Sequence, residues 1–253
     1  MNGTVLVTGG ASRIGREICL KFASVGYCVL VHTRSRRADA ETTARDCVAS
    51  GAPAAHALVH PMRNPSEARR LLATATLFCH DAPLAGVVAN AGHFVPDVIN
   101  GADDDRLLAH AGANFLLPVI VLRTLVAHHW GCGTQGWFTF LSDQKIWNPN
   151  PDYFSYTLSK GMLPGALPNL AVAAAPHVRV NAVVPGLALP SGAQTQENFA
   201  RVHGATPLAR GTHCRDIALA CHFLAGAQAT TGHCLFVDGG QRFTRSPRDV
   251  MFT

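Results

Sequence analysis

Thr4-Val5-Leu6-Val7-Thr8-Gly9-Gly10-Ala11-Ser12-Arg13-Ile14-Gly15 decides how this chain folds. Its first five residues are apolar or β-branched, the mark of a buried strand. They run directly into a glycine-rich turn, and a stretch of helical length, 14–25, follows. A strand, a tight turn and a helix in that order form the first half of a βαβ unit. Glycines at such a turn let backbone N–H groups approach a pyrophosphate, and the positive end of the helix dipole favours its charge.

The same alternation continues outward from this start. Strand candidates lie at 4–8, 27–32, 54–59, 85–89, 136–142, 178–183 and 234–237. Between them are helical segments at 14–25, 38–50, 65–79, 103–130, 155–174 and 215–225. Short apolar runs alternating with helices call for a parallel sheet buried on both faces. The expected architecture is α/β: one doubly wound Rossmann domain spanning 1–253, with a seven-stranded parallel sheet and right-handed crossovers. No repeat or linker divides the chain. The least regular stretch, about 186–204, is rich in Gly, Pro, Ser and Gln, and is expected to be a flexible loop covering the substrate.

Composition agrees with an enzyme-sized core. The chain has 253 residues, 48% hydrophobic and 15% charged, with a net charge of +5. Its arginines are dispersed and form no basic stripe with interleaved aromatics, so no nucleic-acid partner is expected. No run of eighteen apolar residues occurs, and no membrane span is expected. The first residues lack a basic region followed by a long apolar stretch, which makes the cytoplasm the expected location. The eight cysteines form no C-x-x-C pair and read as small buried thiols. Four His-Cys neighbours (Cys79-His80, His213-Cys214, Cys221-His222, His233-Cys234) lack metal-site spacing, so no metal is expected.

Three further segments carry chemistry. The second strand ends His32-Thr33-Arg34-Ser35-Arg36-Arg37. A cofactor with a free ribose 2′-OH wants a carboxylate near there, and none is present. Arg34 and Ser35, with Arg13 from the glycine turn, instead offer charge-assisted donors for a 2′-phosphate, which points to NADPH over NADH. Arg36 and Arg37 read as solvated residues at a helix start. Asn90-Ala91-Gly92 closes the fourth strand, at the edge where open parallel sheets bind ligands. Tyr156 and Lys160, four apart on a helix, share one face. The neighbouring ammonium is expected to lower the phenol's pKa, so that Tyr156 can protonate an atom that receives hydride while Lys160 also holds the cofactor ribose.

In their order and spacing these pieces resemble the short-chain dehydrogenase/reductase family over nearly the whole chain. The resemblance rests on Thr8-Gly9 to Gly15, Asn90-Ala91-Gly92, Asn114, Tyr156/Lys160, Asn181-Ala182-Val183-Val184-Pro185-Gly186 and Val237-Asp238-Gly239-Gly240. It implies that Asn114 anchors a proton-relay water near the lysine. It also implies that Gly9, Arg13, Ile14, Gly15, Thr33 and the Pro185-Gly186-Leu187 turn hold the cofactor. The last strand in that family commonly supports a homotetramer, so self-association as a tetramer or dimer is expected.

One departure narrows the substrate. Most members carry a serine thirteen residues before the tyrosine; here that residue is Asp143, and Ser142 stands one step earlier. On a strand Ser142 would point to the opposite face. A carboxylate is poorly suited to holding a ketone oxygen that turns negative, but suits a ring bearing N–H donors. Aspartate at this position resembles the pteridine reductases and dihydromonapterin reductases, as do Arg13-Ile14-Gly15 and Arg34-Ser35. Phe94 stands where those enzymes stack a pterin against the nicotinamide, and His93 beside it has a positional claim on the pocket. Against the pattern, His60-Pro61 replaces the usual Asp-Leu/Val beside adenine, and proline removes a backbone donor. Trp137 and Trp147 are candidates for shaping the pocket, though packed aromatics are the commoner outcome. Three readings remain: an NADPH-dependent reductase of a dihydropterin or dihydrofolate C=N bond, a carbonyl reductase, or a non-catalytic cofactor-binding sensor.

Overall fold

Val5, Leu6 and Val7 have no solvent exposure. In the computed structural model, which describes residues 2–79, 82–192 and 194–252, they form the centre of β1 (Thr4–Thr8). β1 is flanked by β2 (Cys28–Thr33) and β4 (Leu84–Ala89), both parallel to it. With β3 (Ala55–Val59), β5 (Gly136–Leu141), β6 (Val178–Pro185) and β7 (Cys234–Val237), they make one seven-stranded sheet. The strand order is β3-β2-β1-β4-β5-β6-β7, and every pairing is parallel. The order reverses between β1 and β4, and ligands of such sheets bind beyond the strand ends at that point.

Helices cover both faces, each with its own core. On one face lie α1 (Arg13–Ala23), α2 (Arg37–Ala49) and α8 (Cys214–Gly226), which contribute Ile18, Phe22, Ala44, Cys47, Ile217 and Leu224. On the other, α3 (Pro65–Thr76), α5 (Leu117–Cys132) and α6 (Phe154–Ala174) pack Leu71, Leu72, Leu122, Leu125, Leu163 and Leu167. Trp137 on β5 lies stacked on Phe22 with ring centroids 5.3 Å apart. A Cβ on Gly86 of the adjacent strand would collide with that indole, so glycine is required there. Trp137 is therefore core, and Trp147 packs edge-on against Phe236 at 4.7 Å; neither borders the functional cleft.

The structure departs from expectation in two elements and in the burial of the cysteines. The helix expected over 103–130 is α4 (Asp104–Ala111) and α5, joined by a single π turn at Gly112–Leu116. This composite, Asp104–Cys132, is long and apolar enough by length and composition to cross a membrane. Here it lies along the sheet, with Leu117, Val121, Leu122 and Leu125 in the core. The loop expected about 186–204 ends in a helix, α7 (Gln196–Gly204), whose first turn is capped by Thr195 Oγ1 accepting from the Asn198 N–H at 3.1 Å. Ala193 within that loop lies outside the described residues, as does His80 of the Cys79-His80 pair. The cysteines are all free but not all buried: Cys19, Cys47 and Cys221 are buried, whereas Cys132 is exposed.

Candidate active site

Beyond the ends of β1 and β4 lies a cleft of about 800 Å³. Its floor is fixed by Thr8, whose hydroxyl accepts from the backbone N–H groups of Asn90 and Ala91, each at 3.0 Å. The Asn90 side-chain amide returns the tie, donating to the Thr8 and Gly9 carbonyls at 3.0 and 3.1 Å. Gly9 has φ +65°, and a Cβ on Gly15 would run into the Gly9 carbonyl, so the turn closes only with glycine at both places. Ser12, just before α1, makes no side-chain capping bond, which leaves the first-turn N–H groups of the helix open to an anion. Gly9, Ile14 and Gly15 border the cleft, as do Asn90, Ala91 and Gly92.

A further tie escaped sequence reasoning. His32 is buried at the end of β2; its Nδ1 accepts from the Gly9 N–H at 3.4 Å, while Nε2–H donates to the His60 carbonyl at 2.9 Å. Burial lowers its pKa to about 4, so the ring is neutral with the proton assigned to Nε2. His32 thus clamps the glycine turn to the His60-Pro61 corner, where Met62 and Arg63 border the cleft.

The expected 2′-phosphate cluster is only partly assembled. Arg34 borders the cleft, exposed, and no ion pair or hydrogen bond engages its guanidinium among the described residues. Arg13, with a left-handed φ of +54°, borders the cleft too, but donates to the Pro190 carbonyl opposite at 3.1 Å. Thr33 and Ser35 do not border it. Thr33 is buried, and its hydroxyl accepts from the Arg36 N–H at 3.2 Å to turn the chain into α2, while Ser35 is exposed outside. Arg36, beyond its ion pair with Asp39, reaches Ser12 Oγ at 2.9 Å, and is therefore more than a solvated helix-start residue.

At the other end the structure brings Tyr156, Lys160 and Asp143 together. The Tyr156 hydroxyl donates to Asp143 Oδ2 at 2.7 Å, and Asp143 Oδ1 accepts from the Lys145 N–H at 2.8 Å. Lys160 Nζ donates to the Leu141 carbonyl at 2.6 Å and stands 6.0 Å from the centre of the Tyr156 ring. Tyr156 and Lys160 are buried and Asp143 is half-buried, with electrostatic consequences opposite to the expectation for Tyr156. Burial, then the charge of Asp143 and the bond to it, push the phenol well above its ordinary pKa. Lys160 does not outweigh them, because its ammonium is directed to a carbonyl. Burial also raises Asp143, against the lowering pull of the Lys145 N–H, Tyr156 and Lys160, and brings Lys160 down to about 8.

Ser142 borders the cleft rather than the opposite face, because β5 ends at Leu141 and strand alternation stops there. Its Oγ is buried with no hydrogen-bond partner among the described residues. Phe94 is 43% exposed. It stacks on Tyr153 at 4.2 Å, presents an edge contact to Tyr156 at 4.6 Å, and borders the cleft as a wall rather than a core residue. His93 borders the cleft with its ring 4.4 Å from that of buried His110, and burial followed by His110 lowers its pKa. Asn114, in the π turn, does not itself border the cleft. It cross-ties the His93 backbone, accepting from its N–H at 2.8 Å and donating to its carbonyl at 2.9 Å, and also donates to Ser159 Oγ at 2.9 Å. Pro185, Gly186 and Leu187 form the facing rim, and Leu187 N–H donates to Gln241 Oε1 at 2.8 Å. Among the described residues no three His, Cys, Asp or Glu side chains gather as a metal site.

Known proteins resemble this chain over most of its length. A family model described as short chain dehydrogenase matches residues 3–200. The crystal structure of FolM alternative dihydrofolate reductase 1 from Brucella canis, complexed with NADP, superposes with a TM-score of 0.87 at 31% identity, covering 98% of this chain and 97% of that one. Glucose 1-dehydrogenase of Gluconobacter oxydans is 29% identical over 93% of this chain and 90% of its own length. Pteridine reductase 1 of Leishmania tarentolae is 27% identical over 95% and 96%. With the family model covering most of the chain and the strand order, glycine turn and buried Tyr156/Lys160 pair in place, this protein belongs to the short chain dehydrogenase family of oxidoreductases.

Proposed function

We propose that this protein is an NADPH-dependent reductase of a pterin-like C=N bond, in a dihydropterin or dihydrofolate, with Tyr156 as proton donor. The observation that carries the reading is the 2.7 Å bond from the Tyr156 hydroxyl to Asp143 in a buried corner beside half-exposed Phe94. The fit to the cofactor is supported by the glycine turn, which no side chain can fill, the uncapped start of α1 and the unengaged Arg34. The FolM structure complexed with NADP, alike over nearly the whole chain, supports the same cofactor.

When bound, NADPH supplies hydride from its nicotinamide. The chain's own groups manage the proton. A phenol held above its ordinary pKa keeps its proton until the acceptor atom gains electron density, as a donor in a reduction must. Lys160, charged below about 8, stands 6.0 Å from the centre of the ring that would carry the phenolate. Asp143 keeps a free lone pair on each oxygen, so it can accept N–H groups of a heterocycle while holding the phenol. Phe94 offers a flat face for stacking. Asn114 acts here as a positioning residue, setting His93 and Ser159 around the site. The loop that leads from Leu187 towards α7, together with that helix, is proposed as the cover over the substrate. The family resemblance extends the proposal to a cytoplasmic homotetramer or dimer, and the exposed Leu116, Trp130, Phe223 and Phe243 are suited to contacts between copies.

NADPH oxidation against dihydropterins and a panel of ketones tests this assignment. Asp143→Ala and Asp143→Ser should each abolish pterin turnover; a fully active Asp143→Ser removes the requirement for a carboxylate. A second reading, carbonyl reduction, is favoured by the unpartnered Ser142 hydroxyl at the cleft, which could hold a carbonyl oxygen. Turnover of ketones alone would establish it.

A further inference from the structure

After β7 and a short turn at Gln241–Phe243, the chain does not leave the sheet but crosses back to the cleft, where Asp249 and Val250 border the same space as Asp143 and Tyr156. Two ion pairs fix this segment. Lys145 Nζ meets Asp249 Oδ2 at 2.8 Å with side chains only 5% and 15% exposed. Arg248 Nε donates to both oxygens of buried Asp152, at 3.1 and 2.8 Å. The Asp249 N–H adds a 2.7 Å bond to Asp152, and the Tyr153 hydroxyl donates to Met251 Sδ at 3.1 Å. Phe252 lies against Tyr153 with rings 6.1 Å apart and 21° from parallel. Met251 also reaches the facing rim, where a Cβ on Gly192 would stand 3.4 Å from its Cε.

Both ion pairs, the Asp249–Asp152 bond and the Tyr153 contacts reach the body of the protein between Lys145 and Tyr153, the stretch that separates Asp143 from Tyr156, and the turn Val250–Phe252 also packs beside α7. Withdrawing the segment would leave Lys145 as a buried cation beside Asn150 and the Tyr153 ring but without its carboxylate, and losing one partner of a buried pair is strongly unfavourable. The segment therefore does not swing aside freely for a large ligand.

We propose that residues 248–252 are the selectivity wall of the substrate end, and that Asp249 and Val250 set how large a substituent the substrate may carry beyond its reacting ring. The proposal deepens the pterin reading and rests on it for the choice of substrates. A ring with a short side chain fits within the wall, whereas an aryl–amino-acid extension must displace it.

The experiment measures kcat/KM for 7,8-dihydrobiopterin and for dihydrofolate, which share the reacting ring and differ in substituent. In Arg248→Ala/Asp249→Asn the ratio of dihydrofolate to dihydrobiopterin should rise at least tenfold, while Asp249→Glu, which keeps the charge, should stay near the unaltered ratio. Val250→Trp, which leaves both ion pairs intact, should move the ratio the other way by a similar factor. NADPH affinity, read by fluorescence titration, reports that each variant is folded. Ratios within twofold of the unaltered enzyme in both the double variant and Val250→Trp overturn the wall. If the unaltered enzyme reduces neither pterin, the pterin reading fails instead, and a pair of ketones with short and long substituents gives the same readout for the wall.

Discussion

The glycine-turn end of the cleft and its phenol end are held together by different means. At the first, Gly9, Asn90 and His32 stand at the ends of adjacent parallel strands, tied by backbone groups and short side chains: Thr8 to Asn90, His32 to Gly9 and His60. At the second, Asp143, Lys145 and Tyr153 lie on a strandless stretch, held by ion pairs to residues about a hundred positions away. Strand ends leave little freedom, and suit a ligand whose shape does not vary. A stretch fixed by side chains can change with a few substitutions while the sheet is untouched, as befits the end proposed to distinguish substrates.

The sharpest test of this division is Tyr156→Phe. Loss of a general acid lowers kcat about 10²–10⁴-fold, while NADPH affinity at the far end should change less than threefold, measured by single-turnover kinetics and fluorescence titration. An equal loss of cofactor binding would mean that the two ends are one unit. Next in size is acid stability at the glycine-turn end. The folded-state pKa of His32, about 4, lies below its ordinary 6.5. The unfolded chain therefore takes up the proton first as pH falls, and stability present above 6.5 is lost on the way down to about 4. The whole effect is about 3 kcal/mol. Urea unfolding at pH 7.5 and 4.5 should show a shallower loss in His32→Gln than in the unaltered protein, and an identical loss removes His32 as the cause.

Arg34→Asp should shift the NADPH-to-NADH ratio of kcat/KM about 10–100-fold towards NADH, from loss of a charge-assisted hydrogen bond of about 1.5–3 kcal/mol. Equal use of both cofactors by the unaltered enzyme would contradict a 2′-phosphate at Arg34. Smallest is the pH limb of the phenol end. Lys160 is charged below about 8, so kcat/KM should fall as pH rises through that value, roughly tenfold per unit well above it. Lys160→Arg keeps its charge and should move the limb upward; a limb that stays at about 8 belongs to another group.

The same contrast explains what could be read from the sequence. The seven strands and their order follow from apolar runs alternating with helices, and the glycine turn and Tyr156/Lys160 are local patterns whose chemistry depends on fixed short spacings. Asp143 was legible because its distance from Tyr156 is short and countable. The π turn around Asn114 was not, since a one-residue change of helical register has no residue signature. His32 reads as an ordinary strand residue until folding brings Gly9 and His60 to it. The upward shift of the Tyr156 phenol depends on burial and on where Lys160 points, neither of which spacing reveals. Lys145 and Asp249 are separated by 104 positions, and no local pattern announces such a pair.

The bond from Asn90 to Thr8 also has a bearing on how the molecule comes into being. It spans 82 positions, and closing a loop of that length costs roughly 4 kcal/mol of chain entropy before any contact repays it. β1, made first, has no β4 to lie against until the third crossover is complete. Non-local pairing of this kind slows folding. The glycine turn therefore gains its floor only when that long loop has closed.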